Sequence, residues 1–493
     1  MDSTIGDSRQ TEETRKSRLL RYTRQFAIVL AAGLISVPSG MMQLWPNVFA
    51  SHYAKSNATI FGTEMKVSHW EMDLISSVTQ IGRIVGYLTA GYLLGTIGRK
   101  WSLLITGVPG IVGSLMITVS INIYMIVVGR LLNGITIGLS LIALFIYAAE
   151  VADDKIRGAL VSMCNALMHF GGISNLALGI PFTWYYMSLI CVCLLFVHIV
   201  VVVCALDESP SFLAVSSRDE DALRVLRKLR GPHANVQEEL CYLKQRNQKL
   251  NDSSGVRALL EREHLKIVGL LTGIFFIYAF SGSQVFRINA TRQIQRLGLA
   301  LDEQISTILV ISLYFAGNLS MTFFTDFLGR RRCMMTSLAI IAASYISIGV
   351  FIYLQEERLP LSELQKKESL KFSYEVFNAT LTEVIPDSSS IVPQNSWFPM
   401  LCLMCAAFGY GSGISTLASM LPTELFPTSI RPQGTCACLV IGSVLVFISL
   451  QLYSVMQTTL TQVGLYFFYA TVSLIGIVYS YFLLVETSRE KVG

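Results

Sequence analysis

Glu150-Val-Ala-Asp-Asp-Lys-Ile-Arg157 and Glu424-Leu-Phe-Pro-Thr-Ser-Ile-Arg431 are two copies of one signature, a Glu and an Arg seven positions apart after a long apolar run. Each copy is preceded by a basic signature, Gly98-Arg99-Lys100 in the first half and Gly329-Arg330-Arg331-Arg332 in the second. Loop chemistry that recurs in the same order points to two homologous halves. The interval from Glu150 to Glu208 is close to that from Glu424 to Glu486. The longer interval between Gly329 and Glu424 is explained by an insertion about the size of 355–396.

Hydrophobic residues make up 52% of the 493 and charged residues only 14%, with a mean hydropathy of +0.54. That much apolar surface exceeds what a water-soluble core hides, so the bilayer is the expected solvent. The net charge of +5 gives no argument for nucleic acid. Runs of about 20 residues, long enough to span as helices, recur twelve times, near 26–47, 72–94, 101–120, 122–148, 159–181, 185–206, 266–287, 304–326, 334–354, 397–421, 434–457 and 463–485. The first follows Arg15, Lys16, Arg18, Arg21 and Arg24, is longer than a signal-peptide core and lacks a small-residue cleavage site. It reads as a retained helix with a cytosolic N-terminus. Alternation then places loops 95–100, 149–158, 207–265, 327–333 and 422–433 in the cytosol, where nearly all the Arg and Lys clusters lie.

The sequons at Asn57 and Asn378 fall in the outer loops 48–71 and 355–396 and are the expected glycan acceptors. The predicted organisation is a cytosolic tail (1–25), a six-helix bundle (26–206), a cytosolic helical linker (207–265) with Leu223, Leu226 and Leu229 on one face, a second bundle (266–486) containing the glycosylated loop 355–396, and a tail (487–493). Cys402-x-x-Cys405 lies inside an apolar run and reads as small-residue packing rather than a metal pair. No phosphate-binding loop, zinc-ligand spacing or nucleophile–base arrangement is present. The expectation is therefore no enzyme, no metal and no cofactor.

Several motifs carry a family likeness. Gly91-x-x-x-Gly95-x-x-Gly98-Arg99-Lys100 resembles the loop between helices 2 and 3 of the major facilitator superfamily sugar porters, and Asp326-Phe-Leu-Gly329-Arg330-Arg331 its counterpart after helix 8. Gly129-Arg130 with Gly134 and Gly138 resembles helix 4, and Tyr147-x-x-Glu150 with Arg157-Gly158 the loop that follows it. Glu208-Ser209-Pro210, Glu424-Leu-Phe-Pro-x-x-x-Arg431 and Val485-Glu486-Thr487 complete the set, spanning residues 91 to 487. The chain is similar to animal facilitative glucose transporters and to insect trehalose-transporter-like members. The resemblance implies an all-α integral membrane protein of twelve transmembrane helices in two pseudo-symmetric six-helix bundles, the major facilitator fold. It also implies a plasma-membrane carrier of hexose, trehalose or polyol, a monomer or weak oligomer with both termini cytosolic and no nucleic-acid partner. Glu150, Glu208, Glu424 and Glu486, beside Arg99, Arg157, Arg330, Arg331 and Arg431 and with Asp326, would form a cytosolic gate biasing a rocking equilibrium.

Departures from the family pattern shape the mechanism. Gly95 and Thr96 replace an acidic–basic pair, Phe145 a proline and Ser211 an arginine. The first run holds no carboxylate opposite the helix 4 arginine, Arg130, so facilitated diffusion is expected rather than proton symport. By resemblance, substrate positions fall on Asn165, Tyr278, Gln284, Tyr314 and Ser419, without the usual tryptophan platform. Arg83 and Arg287 are charges inside predicted spans. Arg287 either meets an anionic or heavily hydroxylated solute or snorkels outward, and Arg83 meets carbonyls or cavity water. His169 reads as packing or hydrogen bonding. Gly82, Gly86, Gly91, Gly95, Gly134 and Gly138 read as close helix contacts, and Gly409, Gly411, Gly413 and Pro422 as a loosened helix 10. The rival functions are carriage of another solute, such as an organic anion engaging Arg287, and nutrient sensing without transport.

Overall fold

The computed structural model describes residues 19–56, 58–153, 155–231, 236–253, 259, 261–297, 301–357, 397–427 and 430–484, with the backbone alone at 246–253, 322–327 and 356–357. Asn57, Asn378 and Glu486 lie outside the described residues, as does the side chain of Asp326. The first half contains α1 (Leu19–Lys55), α2 (His69–Thr96), α3 (Arg99–Thr118), α4 (Ile123–Val151), α5 (Arg157–Leu178) and α6 (Trp184–Ala205). Three shorter helices follow, α7 (Pro210–Val215), α8 (Asp219–Arg230) and α9 (Val236–Ser253). The second half contains α10 (Arg262–Phe280), α11 (Ser283–Ile288), α12 (Ala290–Leu297), α13 (Glu303–Leu328), α14 (Arg330–Glu357), α15 (Phe398–Gly411), α16 (Ile414–Leu425), α17 (Arg431–Gln451) and α18 (Tyr453–Leu483).

Among the described residues, ten helical segments are long and apolar enough to cross a membrane by length and composition. The two remaining long helices, α2 and α5, fill the second and fifth expected positions. Their hydropathy is lowered by polar side chains that point inward: Asp73, Gln80 and Asn175 are all buried. Local chemistry sets several boundaries. Ser68 and Glu71 cap α2 reciprocally, and Asn122 caps α4 by accepting from the Met125 N–H at 3.0 Å. The first span runs to Lys55, beyond its expected end near 47. The seventh and tenth spans are each broken: Gly282, at φ +87°, separates α10 from α11, and Ser412 with Gly413 separates α15 from α16. Thr461, at φ 61°, sets a short helical piece apart from the rest of α18.

The packing repeats between halves. α1 lies against α5 as α10 lies against α17. Likewise α2 meets α4 as α13 meets α15, and α3 meets α6 as α14 meets α18. Each half closes on its own apolar core, one around Trp45, Leu103, Tyr147 and Leu195, the other around Phe286, Leu338, Tyr410 and Leu450. Between the halves, α2 packs on α17 and α5 on α13. The linker helices enclose a small core of Leu213, Ala222, Leu226, Val236 and Leu240. Arg230 ties them to the first half through Asp153 at 2.8 Å and the Val151 carbonyl at 3.0 Å.

Glycine contact is selective. A Cβ on Gly134 would lie 2.3 Å from the Thr79 carbonyl oxygen, and one on Gly82 2.1 Å from that of Leu131, so α2 and α4 touch through backbone at these positions. Gly91 and Gly95, expected to do the same, face open space. Gly134→Ala should therefore lower the thermal midpoint of the purified protein, on the scale of about 1–3 kcal/mol for overpacking. Gly91→Ala should leave the midpoint unchanged.

Candidate functional site

A narrow cavity, with little more room than a water molecule needs, lies between the halves. It is lined from α1 by Gly40, Gln43 and Leu44, from α5 by Met168, His169, Gly172 and Ile173, and from the second half by Arg287, Ile311, Tyr314 and Phe315. Its shape follows from the breaks just described. Gly282 turns the chain so that α11 carries Gln284 and Arg287 inward, both buried. Gln284 Oε1 accepts from Arg287 at 2.7 Å, and Gln284 Nε2 donates to the Tyr278 hydroxyl. The Gln43 amide oxygen, turned toward the guanidinium, accepts from its two terminal nitrogens at 2.9 and 3.3 Å. The guanidinium lies 5.7 Å from the Tyr314 ring centre, and the Tyr314 hydroxyl meets Ser415 at 2.6 Å. His169 sits beside the Tyr314 and Phe315 rings.

The expected substrate positions divide on this geometry. Tyr278, Gln284, Tyr314 and Arg287 come together, and the outward-snorkelling alternative for Arg287 is corrected: the side chain is 7% exposed and faces the cavity. Asn165 lies one turn along α5 from His169 and does not line the cavity. Ser419 is exposed and donates to the Thr416 carbonyl of its own helix at 2.8 Å. Arg83 donates to the Tyr87 hydroxyl at 3.1 Å, one turn along the same helix. Arg130 is 1% exposed, donates to the Ile75 and Met42 carbonyls and faces the Trp45 ring at 5.5 Å. Gln43 is the contributor the motifs missed; its only sequence signal is an amide inside the first apolar run.

One end of the molecule carries the basic loops. There Arg99 binds Glu150 at 2.7 Å and Arg330 binds Glu424 at 3.2 Å, each pair within one half. Glu208 accepts from the Arg99 N–H at 2.7 Å and the Lys100 N–H at 3.2 Å, an anion seated on the N-terminus of α3. Gly98 is needed at that turn because its φ is +96° and a Cβ would lie 2.5 Å from Glu208 Oε2. Arg157 and Arg431, the far members of the repeated signature, reach back to the carbonyls of Ala149 at 3.0 Å and Phe426 at 3.3 Å. Arg331 donates to the Tyr481 carbonyl and lies over its ring at 4.6 Å.

The opposite end is where the halves bond to each other, roughly 35 Å along α2 from Gly98. Asp73 of α2 binds Arg292 of α12 at 2.6 Å, with side chains 0% and 8% exposed. Asp73 also accepts from the Ser454 N–H at 2.8 Å, and Arg292 stacks on Tyr453 at 5.3 Å. Ser76 donates to Asn289 at 2.8 Å and Ser77 to Gln451 at 2.6 Å. Asn47 donates to the Arg287 carbonyl and accepts from the Thr291 N–H, both at 3.1 Å. No motif pointed to this cluster. The available signal was one acid at the start of the second apolar run and one base in the polar segment that follows the seventh.

A family model described as sugar (and other) transporter matches residues 19–492. The facilitated trehalose transporter of Polypedilum vanderplanki is 23% identical, over 99% of this chain and 92% of its own length. That of Apis mellifera ligustica is 21% identical, over 97% and 88%. Among solved structures, an inward open conformation of the E. coli xylose transporter matches with a TM-score of 0.71 at 17% identity, covering 94% of this chain and 97% of that one. The E. coli proton:xylose symporter bound to 6-bromo-6-deoxy-D-glucose matches at 0.68 and 18%, with 94% and 97% covered.

Removing the charge of Asp73 strands Arg292 in a buried site. Asp73→Asn should cost on the order of 3–5 kcal/mol of stability, read as a lowered thermal midpoint. The double variant Asp73→Asn/Arg292→Gln should recover most of it. Additive losses in the double variant would show that the two side chains do not act as a pair.

Proposed function

The chain belongs to the sugar (and other) transporter family, and on that premise we propose that this multi-pass membrane protein carries a hexose, trehalose or polyol down its gradient by alternating access. The observation that carries this reading is a cavity built from both halves and sealed at one end by bonds between them. Its amide at Gln43 and its rings at His169, Tyr314 and Phe315, backed by Gln284 and Tyr278, suit a solute that presents hydroxyls on a compact frame once the halves part to admit it. The match to an inward open xylose transporter is consistent with a state closed at the Asp73 end.

The basic end is assigned to the cytosol by the positive-inside rule, which puts both termini there and the Asp73 end outside, in the plasma membrane. The bundles 26–206 and 266–486 move as bodies joined by the linker 207–265. Glu208 and the Arg99–Glu150 and Arg330–Glu424 pairs stiffen the inner end of each bundle, and the outer closure resides in Asp73–Arg292. Transport is uncoupled: Arg130 is satisfied by carbonyls and an aromatic ring, so no carboxylate opposite it cycles a proton.

Uptake of labelled glucose, trehalose and a polyol into liposomes containing the purified protein tests this directly. Saturable flux that is indifferent to an imposed proton gradient is the expected result. Flux that requires the gradient would replace uniport by symport. Binding without flux would make the protein a nutrient sensor.

A further inference from the structure

Among the described residues, the charge in the central cavity has no counter-charge. Arg287 is 7% exposed, and its partners are the Gln284 and Gln43 amides and the Tyr314 ring, all neutral. Its Nε is buried without a hydrogen-bond partner, and none of the residues lining the cavity is acidic. Three other arginines have carboxylate partners. Arg292 has Asp73, Arg99 has Glu150 and Arg330 has Glu424. Arg130, which also lacks a carboxylate, is enclosed by two backbone carbonyls and a tryptophan, not by a cavity. An unneutralised guanidinium at membrane depth is costly unless water, a partner or a substrate faces it.

Building on the carrier reading above, we infer that the cargo supplies the missing charge: the central site takes a sugar acid, a monosaccharide bearing a carboxylate. The carboxylate meets Arg287, whose fork matches it in two parallel hydrogen bonds. The hydroxyls meet Gln43 and His169 and the ring lies against Tyr314 and Phe315, while Gln284, bonded to both Arg287 and the Tyr278 hydroxyl, holds the guanidinium in place from behind. A neutral hexose in the same place leaves the cation unanswered, which sets the preference between the two. Uniport of such a solute moves one negative charge per cycle, so flux responds to membrane potential, whereas uniport of a neutral sugar does not.

The test uses the full-length protein in liposomes with labelled D-glucuronate, D-glucose and trehalose at equal concentration, the potential being set by potassium and valinomycin. D-glucuronate uptake should exceed D-glucose uptake by about tenfold or more and rise when the lumen is made positive. Arg287→Gln should reduce it by about tenfold or more, with partial return in Arg287→Lys. A thermal-shift measurement reads the same site without flux: D-glucuronate should raise the midpoint of the wild type and not that of Arg287→Gln. If that variant does not fold, wild-type selectivity and voltage response decide alone. D-glucose flux that equals or exceeds that of D-glucuronate, without voltage response or competition by D-glucuronate, would remove the sugar-acid inference and leave the carrier reading intact. No flux and no thermal shift with any of the three would remove both.

Discussion

Asp73 and Arg292 hold the closed end of the molecule, opposite charges from different halves that meet at 2.6 Å with neither side chain more than 8% exposed. Desolvation of both ions offsets much of their attraction, so joined-and-dry lies close in free energy to parted-and-hydrated. A carrier needs that balance, because a contact that is too favourable traps one state and stops turnover. In the proposed alternating-access cycle, water reaches both groups once the halves part and restores their hydration. The Ser76–Asn289, Ser77–Gln451 and Asn47–Thr291 bonds share this character: each exchanges a protein partner for water when the gap opens.

The cavity depends on that seal and on two broken helices. At Gly282 the backbone turns into the left-handed region, freeing α11 to aim Gln284 and Arg287 at the space between the halves. The chain breaks again between α15 and α16, in the tenth span. Irregular backbone at membrane depth is tolerated where it lines a cavity. Backbone contacts at Gly82 and Gly134 leave no side-chain slack between α2 and α4, which suits a first half that moves as one body in the proposed cycle.

Architecture was legible from the sequence because it is carried by repetition. Twelve apolar runs, two basic signatures and two Glu–Arg signatures survive as local strings, and local strings are what a linear reading sees. Even there the pairing differed in detail: Arg157 and Arg431 turn back to carbonyls, while Glu150 and Glu424 find guanidinium partners in the preceding loop. The site was legible in part. Tyr278, Gln284 and Arg287 sit around one turn at Gly282, so spacing alone brings them together. Ser419 lies beyond the Gly413 break, where a family offset no longer fixes which way a side chain points. Asp73 and Arg292 are 219 residues apart with no motif around either, and only the three-dimensional fold unites them.

In the proposed cycle the Asp73–Arg292 contact closes the outer end. Nitroxides at exposed positions on either side of it, Lys66 and Thr459, report the separation of the halves by pulsed electron resonance, in a background with the exposed native cysteines replaced. One distance peak should dominate in the otherwise native chain, and Asp73→Asn should add a population at longer distance. An unchanged distribution in the Asp73→Asn chain would contradict the claim.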